Sequence, residues 1–186
     1  MLVLFNLPIF FPMTRAKLLQ PDLVLGKTIV ELSPAILDRH GVKGLVLDVD
    51  ETLVPFRGDQ VSEELQAWID PIKAKLPIWL VSNNMSESRI GGVAQTLDLP
   101  FLYGAAKPSR RKLRQAIAEM QLPVESVAMV GDRLFTDVLA GNRLGMFTIL
   151  VEPMELPGKP LYPWSIRNIE VWLSQKLGVT LQGIFE

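Results

Sequence analysis

The sequence predicts an α/β fold: a three-layer, Rossmann-like arrangement around a central parallel sheet. Two observations carry that expectation. Five short apolar runs between Lys43 and Val151 alternate with amphipathic stretches, the pattern of parallel strands joined by helical crossovers. Polar clusters follow four of those runs, at the edge where such sheets gather their ligands. With 186 residues, 48% of them apolar, the chain can build the core of one domain.

Residues 1–30 read as an N-terminal apolar arm and lead-in, and residues 31–186 as a single domain that closes on a C-terminal helix. The run from Met1 to Met13 is broken by Asn6, Pro8 and Pro12 and falls short of the roughly 20 residues that span a bilayer. Arg15 and Lys17 follow it rather than precede it, unlike an export signal. The arm either packs on its own domain or rests as an aromatic wedge in a membrane interface.

Lys43 to Val49 reads as the first strand of the alternating unit, and Ser62 to Leu76 as the helix after it. Ser62 suits the N-cap, Glu63 and Glu64 suit the positive end of the helix dipole, and Pro71 is placed to kink or split the helix. Pro77 to Val81 is the second strand, Ser86 to Leu97 a helix, and Phe101 to Tyr103 a short third strand. A helix from Ser109, its expected N-cap, to Met120 carries Leu113, Ala116, Ile117 and Met120 on one stripe. Ser126 to Val130 is the fourth strand, Leu134 to Leu144 a helix, and Met146 to Val151 the fifth strand. Glu152 to Pro163 holds four prolines and reads as an extended excursion. The last helix, Ser165 to Leu177, turns Ile166, Ile169, Leu173 and Leu177 to one side and is expected to pack back on the sheet.

Composition narrows the chemistry. A net charge of −1, from 19 basic and 20 acidic residues, gives no overall field for nucleic acid, which is not expected as a partner. Without cysteine there are no disulfides, thiolate metal sites or thiol nucleophiles, and a reducing, cytoplasmic setting is the simplest one. The single histidine, His40, lies in a turn-like stretch and reads as a surface residue. Carboxylates must therefore carry any covalent chemistry.

Asp48 and Asp50 end the first strand at i and i+2, a spacing that points both side chains to one side of an extended chain. Taken alone, the pair reads equally well as a polar turn or as a reacting centre. Ser82, Asn83 and Asn84 end the second strand, and Lys107 follows the third. Asp132 ends the fourth, with Asp137 one turn into the next helix. The two later aspartates suit a hard cation that takes oxygen ligands.

In order and spacing, Asp48-Val-Asp50-Glu-Thr52, Ser82, Lys107 and Gly131-Asp132 with Asp137 resemble the four motifs of the haloacid dehalogenase (HAD) superfamily. The stretches Val42-Lys-Gly44, Thr52-Leu-Val54, Val81-Ser-Asn-Asn84, Ala106-Lys-Pro108 and Gly131-Asp-Arg133 are similar to subfamily IIIA phosphatases of the YqeG type. That type includes phosphatases of phosphatidylglycerophosphate. The chain departs from the pattern at Glu51, where many relatives carry Asn.

The resemblance implies Asp48 as nucleophile, forming an aspartyl phosphate, and Asp50 as the acid that protonates the leaving oxygen and then activates water. Acid–base help of this kind contributes about 10²- to 10⁴-fold. It implies Mg2+ held by Asp48, the backbone carbonyl of Asp50 and Asp132. Thr52 and Ser82 are expected to bind the transferring oxygens or position Asp50. Lys107 is expected to neutralise charge with Asp137 orienting it or a metal-bound water, and Asn83 to support the phosphate site.

Many relatives insert a cap domain between motifs. Here 31 residues separate Asp50 from Ser82 and 24 separate Ser82 from Lys107, each about one helical crossover, so the fold is expected to be capless. An open site suits a bulky phosphomonoester. The basic stretch from Ser109 to Arg114 is either a solvated helix face or, beside Lys107, a partner for an anion. With the aromatic arm it favours a lipid phosphate and peripheral contact with the inner face of a membrane. The alternatives are a phosphatase of soluble sugar or nucleotide phosphates, and a HAD-fold binding protein without catalysis. Oligomeric state is not encoded in any of these features.

Overall fold

The computed structural model describes residues 15–55, 58, 60–154, 170, 172, 176 and 178–181. Six parallel strands form one open sheet: β1 (Leu23–Val24), β2 (Gly44–Leu47), β3 (Ile78–Val81), β4 (Phe101–Leu102), β5 (Val127–Gly131) and β6 (Phe147–Leu150). Their spatial order is β1-β6-β5-β2-β3-β4. The chain leaves β2 towards β3 and β4, then returns to the opposite flank of β2 to lay down β5 and β6. That reversal opens a crevice at the carboxyl ends of β2 and β5, the switch point at which open α/β sheets bind ligands.

The helices are α1 (Arg15–Leu19), α2 (Pro34–Arg39), α3 (Glu63–Lys73), α4 (Glu87–Leu97), α5 (Arg111–Met120) and α6 (Leu139–Leu144). Every residue of β2 is buried, as a strand covered on both faces must be. Leu45 and Leu47 join the apolar cluster that contains Ile69 and Ile72 of α3 and Ile90 and Val93 of α4. Val46 points the other way, into the cluster of Leu113, Ala116 and Ile117 of α5 and Ala140 of α6. Alternation along one strand thus produces the three expected layers.

Local capping follows the sequence at two helices. The Ser62 side chain accepts a hydrogen bond from the Leu65 amide at 3.1 Å, and the Ser86 side chain accepts one from Arg89 at 3.3 Å. Pro71 neither kinks α3 apart nor ends it; the helix runs on to Lys73. Burial of Leu65, Trp68, Ile69 and Ile72, each worth about 1.5–3 kcal/mol, outweighs the ~3 kcal/mol cost of a proline inside a helix. The expected N-cap of α5 is corrected: Arg110, not Ser109, occupies that position, and its side chain makes no capping bond.

Two elements lie outside the five-strand expectation. Within the lead-in, β1 adds a parallel edge strand on β6, so the boundary drawn at residue 30 cuts through the sheet. Asp22 fastens it: one carboxylate oxygen accepts from both the Thr148 amide and the Thr148 hydroxyl at 2.8 Å, while Leu23 is buried. The helix expected from Leu134 opens as a π-helical turn, Leu134–Val138, before α6.

The apolar arm, residues 1–13, lies outside the described residues, as do most of the proline-rich excursion and the C-terminal helix. Glu170, Trp172 and Lys176 are described, and are helical. No helix among the described residues is long and apolar enough to cross a membrane.

Candidate active site

β2 delivers Asp48 to the crevice, and the Asp48 amide donates to the Val130 carbonyl of β5 at 2.9 Å. The chain then doubles back: the amides of Leu53 and Val54 both donate to the Val49 carbonyl, at 3.0 and 3.2 Å. Glu51 takes a left-handed φ of +62° at the tip of this turn, a conformation that Asn tolerates better than Glu. The departure from the family pattern therefore falls where it costs local backbone energy. Glu51 also adds a carboxylate to the lining of the cleft.

Lys107 is fully enclosed and makes three contacts, one for each proton of its ammonium. Its Nζ lies 2.6 Å from Asp48 Oδ1, 2.7 Å from Asp137 Oδ1 and 2.8 Å from the Val81 carbonyl. Asn83 holds its backbone at two points: Asn83 Oδ1 accepts from the Lys107 amide at 2.6 Å, and Asn83 Nδ2 donates to the Lys107 carbonyl at 3.1 Å. Burial alone would lower the lysine's pKa, but Asp137 and Asp48 hold it above the ordinary value, so it stays a cation.

Asp48, Asp132 and Asp137 are all buried, and one carboxylate oxygen from each lies within 4.8 Å of the others. Crowding of like charges in a dry site has the expected result. Burial pushes Asp48 up to about 7, against the pull of Lys107, and Asp137 and Asp50 raise it further. Burial, then Asp137, Asp48 and Glu51, push Asp132 up to about 8, offset in part by the Thr52 hydroxyl. Asp132 Oδ2 is buried with no hydrogen-bond partner among the described residues. Asp137 Oδ1 has its ion-pair contact with Lys107 but no aligned hydrogen bond. Three hard oxygen donors, excess negative charge and an orphaned carboxylate oxygen fit a divalent cation.

Gly131 is what lets Asp137 approach. A Cβ at that position would sit 2.5 Å from Asp137 Cγ and 2.7 Å from its Cβ, inside any tolerable contact. Gly131→Ala is therefore expected to push Asp137 away from Lys107 and lower phosphatase kcat at least about tenfold, as misplaced active-site groups do. An unchanged kcat would show that the close approach is dispensable.

Three neighbouring side chains hold Asp50. Its carboxylate stays outside the acidic cluster: Oδ2 accepts from Ser82 Oγ and Asn84 Nδ2, both at 3.2 Å, and Oδ1 pairs with Arg89. Of the implied metal set, the carboxylates of Asp48 and Asp132 are brought together, with that of Asp137 beside them; the implied contribution of Asp50 was its backbone carbonyl, not its carboxylate. The Thr52 hydroxyl donates to Asp132 Oδ1 at 3.1 Å, so of its two expected roles the positioning of Asp50 is not the one seen. Ser82 is wholly buried and positions Asp50, one of its two expected roles.

Arg89 is the residue that sequence reasoning missed. It bridges from Asp50 to the Gly58 carbonyl at 2.7 Å and the Pro55 carbonyl at 3.3 Å. Its signal was a cation in the first turn of α4, where the helix dipole disfavours positive charge unless an anion is near. The same argument had pointed to the start of α5, where two of the four basic residues find carbonyl acceptors instead. Arg110 donates to the Arg143 carbonyl at 2.8 Å, and Lys112 to the Tyr103 carbonyl. His40 is exposed, against the Phe147 ring.

The resulting cleft, about 250 Å³, is lined by Asp48, Asp50, Asn84, Lys107, Arg133 and Thr136, among others. An aspartate pair at a switch point, faced by a buried lysine and further carboxylates, supplies the kinds of groups that phosphoryl transfer requires.

A HAD-hydrolase-like family model matches residues 104–153. The chain is 37% identical over 129 residues to the probable phosphatase YqeG of Bacillus subtilis, covering 69% of this chain and 74% of that protein. It is 28% identical over 149 residues to phosphatidylglycerophosphate phosphatase 1 of Chlamydomonas reinhardtii, covering 75% of this chain but 55% of the relative. Among solved structures, NagD from E. coli K-12 aligns with a TM-score of 0.51 at 16% identity, over 66% of this chain and 94% of that one, which supports the fold. The chain belongs to the YqeG-type phosphatases of the haloacid dehalogenase superfamily.

Proposed function

We propose that this protein is a Mg2+-dependent phosphomonoester hydrolase acting through an aspartyl phosphate on Asp48, with a lipid phosphate of the phosphatidylglycerophosphate class as substrate. Such an activity belongs to phosphatidylglycerol synthesis, on the cytoplasmic face of a membrane. The observation that carries the chemistry is the buried contact of Lys107 with Asp48, which favours the ionised, nucleophilic carboxylate against a burial that favours its neutral form.

Asp48 would attack the phosphorus as the ester oxygen departs. Asp50, held by Ser82, Asn84 and Arg89, would give its proton to that oxygen and take one from the water that opens the acyl phosphate. Lys107, itself fixed by Asn83 and Asp137, would stabilise charge developing on the transferring oxygens. Asp48, Asp132 and Asp137, with the Asp50 carbonyl, would hold Mg2+, which supplies charge neutralisation between carboxylate and phosphate.

The lipid assignment rests on two supports. The chain between Asp50 and Lys107 contains only α3, α4 and two strands among its described residues, with no covering domain among them. The Chlamydomonas relative is a phosphatidylglycerophosphate phosphatase by name. A second reading, a soluble nucleotide or sugar phosphate, is favoured by 48% identity over 82 residues to ribonucleotide monophosphatase NagD of Escherichia coli, across 39% of this chain. Phosphate release with Mg2+, measured for phosphatidylglycerophosphate in mixed micelles and for a panel of soluble monoesters, decides between them. The lipid reading expects at least about tenfold higher kcat/KM on the micellar substrate; a preference for the soluble panel replaces it with the second.

The cation has a signature apart from turnover. Asp48 and Asp132 titrate near 7 and 8 in the folded chain, above the roughly 4 of an unfolded aspartate. The metal-free fold therefore binds protons more tightly than the unfolded chain. The stability this gives is complete below about pH 4 and is lost as pH rises to about 8. In chelator, Tm is expected to fall between pH 5 and pH 8, less so in Asp132→Asn. Added Mg2+ should raise Tm more at pH 8 than at pH 5. Equal Mg2+ gains at both pH values would remove the cluster as the binding site.

A further inference from the structure

Arg133 lies in the wall of the cleft, directly after Asp132, and the mechanism above gives it no work. Its side chain is one-quarter exposed and held from one side by Glu170. Glu170 Oε1 accepts from Arg133 Nε at 3.1 Å and from Arg133 Nη2 at 2.6 Å. Glu170 Oε2 accepts from the Leu134 amide at 3.1 Å, which locks the carboxylate itself. A guanidinium has five N–H donors. Glu170 takes two of them, and Nη1 has no hydrogen-bond partner among the described residues.

The other cleft cation differs. Lys107 spends its ammonium on Asp48, Asp137 and the Val81 carbonyl. The cleft also carries the carboxylates of Asp48, Asp50 and Glu51, which repel an anionic substrate. A rigid, partly exposed guanidinium with donors to spare is suited to a planar, bidentate grip on a phosphate-like oxyanion. The cleft, at about 250 Å³, is smaller than the ~300–1,000 Å³ of sites that enclose whole drug-sized ligands. It has room for a small polar head bearing both groups, with any larger substituent left outside.

We propose that Arg133, fixed by Glu170, forms a second anion subsite, so that preferred substrates carry a further phosphate-like anion a few bonds from the hydrolysed monoester. A substrate with a phosphodiester and a terminal phosphomonoester on one glycerol meets this requirement; a lone sugar phosphate does not. The inference rests on the phosphatase reading but not on the lipid one. Glu170, itself helical, acts as a positioning residue through Arg133.

The test uses the full chain with Mg2+ and three substrates. Glycerol 3-phosphate has one anionic group. Its soluble analogue with a glycerophosphodiester on the far carbon, the deacylated head group, has two. Phosphatidylglycerophosphate in mixed micelles has the same two on a lipid. The parent protein is expected to favour the soluble two-anion substrate over glycerol 3-phosphate by about tenfold or more in kcat/KM, the worth of a charge-assisted hydrogen bond. In Arg133→Gln that ratio should fall towards one, mainly through KM, and Glu170→Gln should lower it in part.

Loss of the arginine strands a buried carboxylate, so the double variant Arg133→Gln with Glu170→Gln repeats the measurement with a neutral pair. A parent without the preference overturns the subsite, and needs no variant. So does a ratio that Arg133→Gln and the double variant leave unchanged. Turnover of the soluble two-anion substrate without turnover of the micellar lipid ends the lipid reading and leaves the subsite standing.

Discussion

Asp48→Asn is expected to lower phosphate release by about 10⁴-fold or more while the domain stays folded. Removal of a covalent nucleophile has effects of that order, because the groups around it cannot substitute for the bond it forms. The geometry supplies the second half of the expectation. Asn matches Asp in volume, and the substitution deletes a charge that burial already penalises enough to push its pKa to about 7. Each pKa unit corresponds to ~1.4 kcal/mol, so the neutral side chain relieves part of a real cost. Lys107 keeps Asp137 at 2.7 Å and the Val81 carbonyl at 2.8 Å, and is not stranded.

In chelator, then, the Tm of Asp48→Asn should equal or exceed that of the parent above pH 7. The pH slope of stability should shrink, since one of two carboxylates with raised pKa is gone. A steady-state assay and a pair of thermal melts suffice. Turnover above about one percent of the parent would falsify the assignment of Asp48 as nucleophile, whatever the melts show.

Legibility in the sequence followed the range of the interactions involved. Asp48, Asp50, Lys107 and Asp132 each end or follow an apolar run, so a local pattern located them, and the switch point between β2 and β5 then brought them together. The two-residue strand β1 left no periodic signal. It exists because Asp22 reaches Thr148, 126 residues away, and because Leu23 finds cover on β6. Roles were harder to read than positions. Ser82 and Thr52 both carry hydroxyls able to face substrate, but tertiary packing turned Ser82 to Asp50 and Thr52 to Asp132. Arg89 and Glu170 came from helices whose sequence pattern was spent on locating the core. The close approach of Asp137 to the sheet depends on Gly131, a residue that the sequence placed in a motif without showing why it must be glycine.

Lys107→Met tests the electrostatic logic of the site most severely. Methionine fills nearly the same space without charge, so the packing around Leu113 and Val81 is expected to survive while Asp48 and Asp137 lose their shared cation. Breaking a buried ion pair from one side costs about 3–5 kcal/mol, because the remaining charges stay out of water and unpaired. Chelator-treated Lys107→Met should therefore show a marked fall in Tm at pH 8. The loss should be smaller at pH 5. Without Lys107 the pull that lowers Asp48 disappears, its pKa rises further, and at acid pH it holds a proton instead of a bare charge. Phosphate release should fall along with stability, and added Mg2+ should recover part of the Tm but little of the turnover, since a cation shared among the carboxylates does not replace the ammonium that joins Asp48 to Asp137. Pairing the substitution with Asp137→Asn gives the coupling energy directly: removing the second charge should return stability relative to Lys107→Met alone, a sign that contacts without coupling cannot produce. If the two losses simply add, Lys107 and Asp137 do not act as a unit, and the buried Asp48–Lys107–Asp137 chain is not what holds the nucleophile ready.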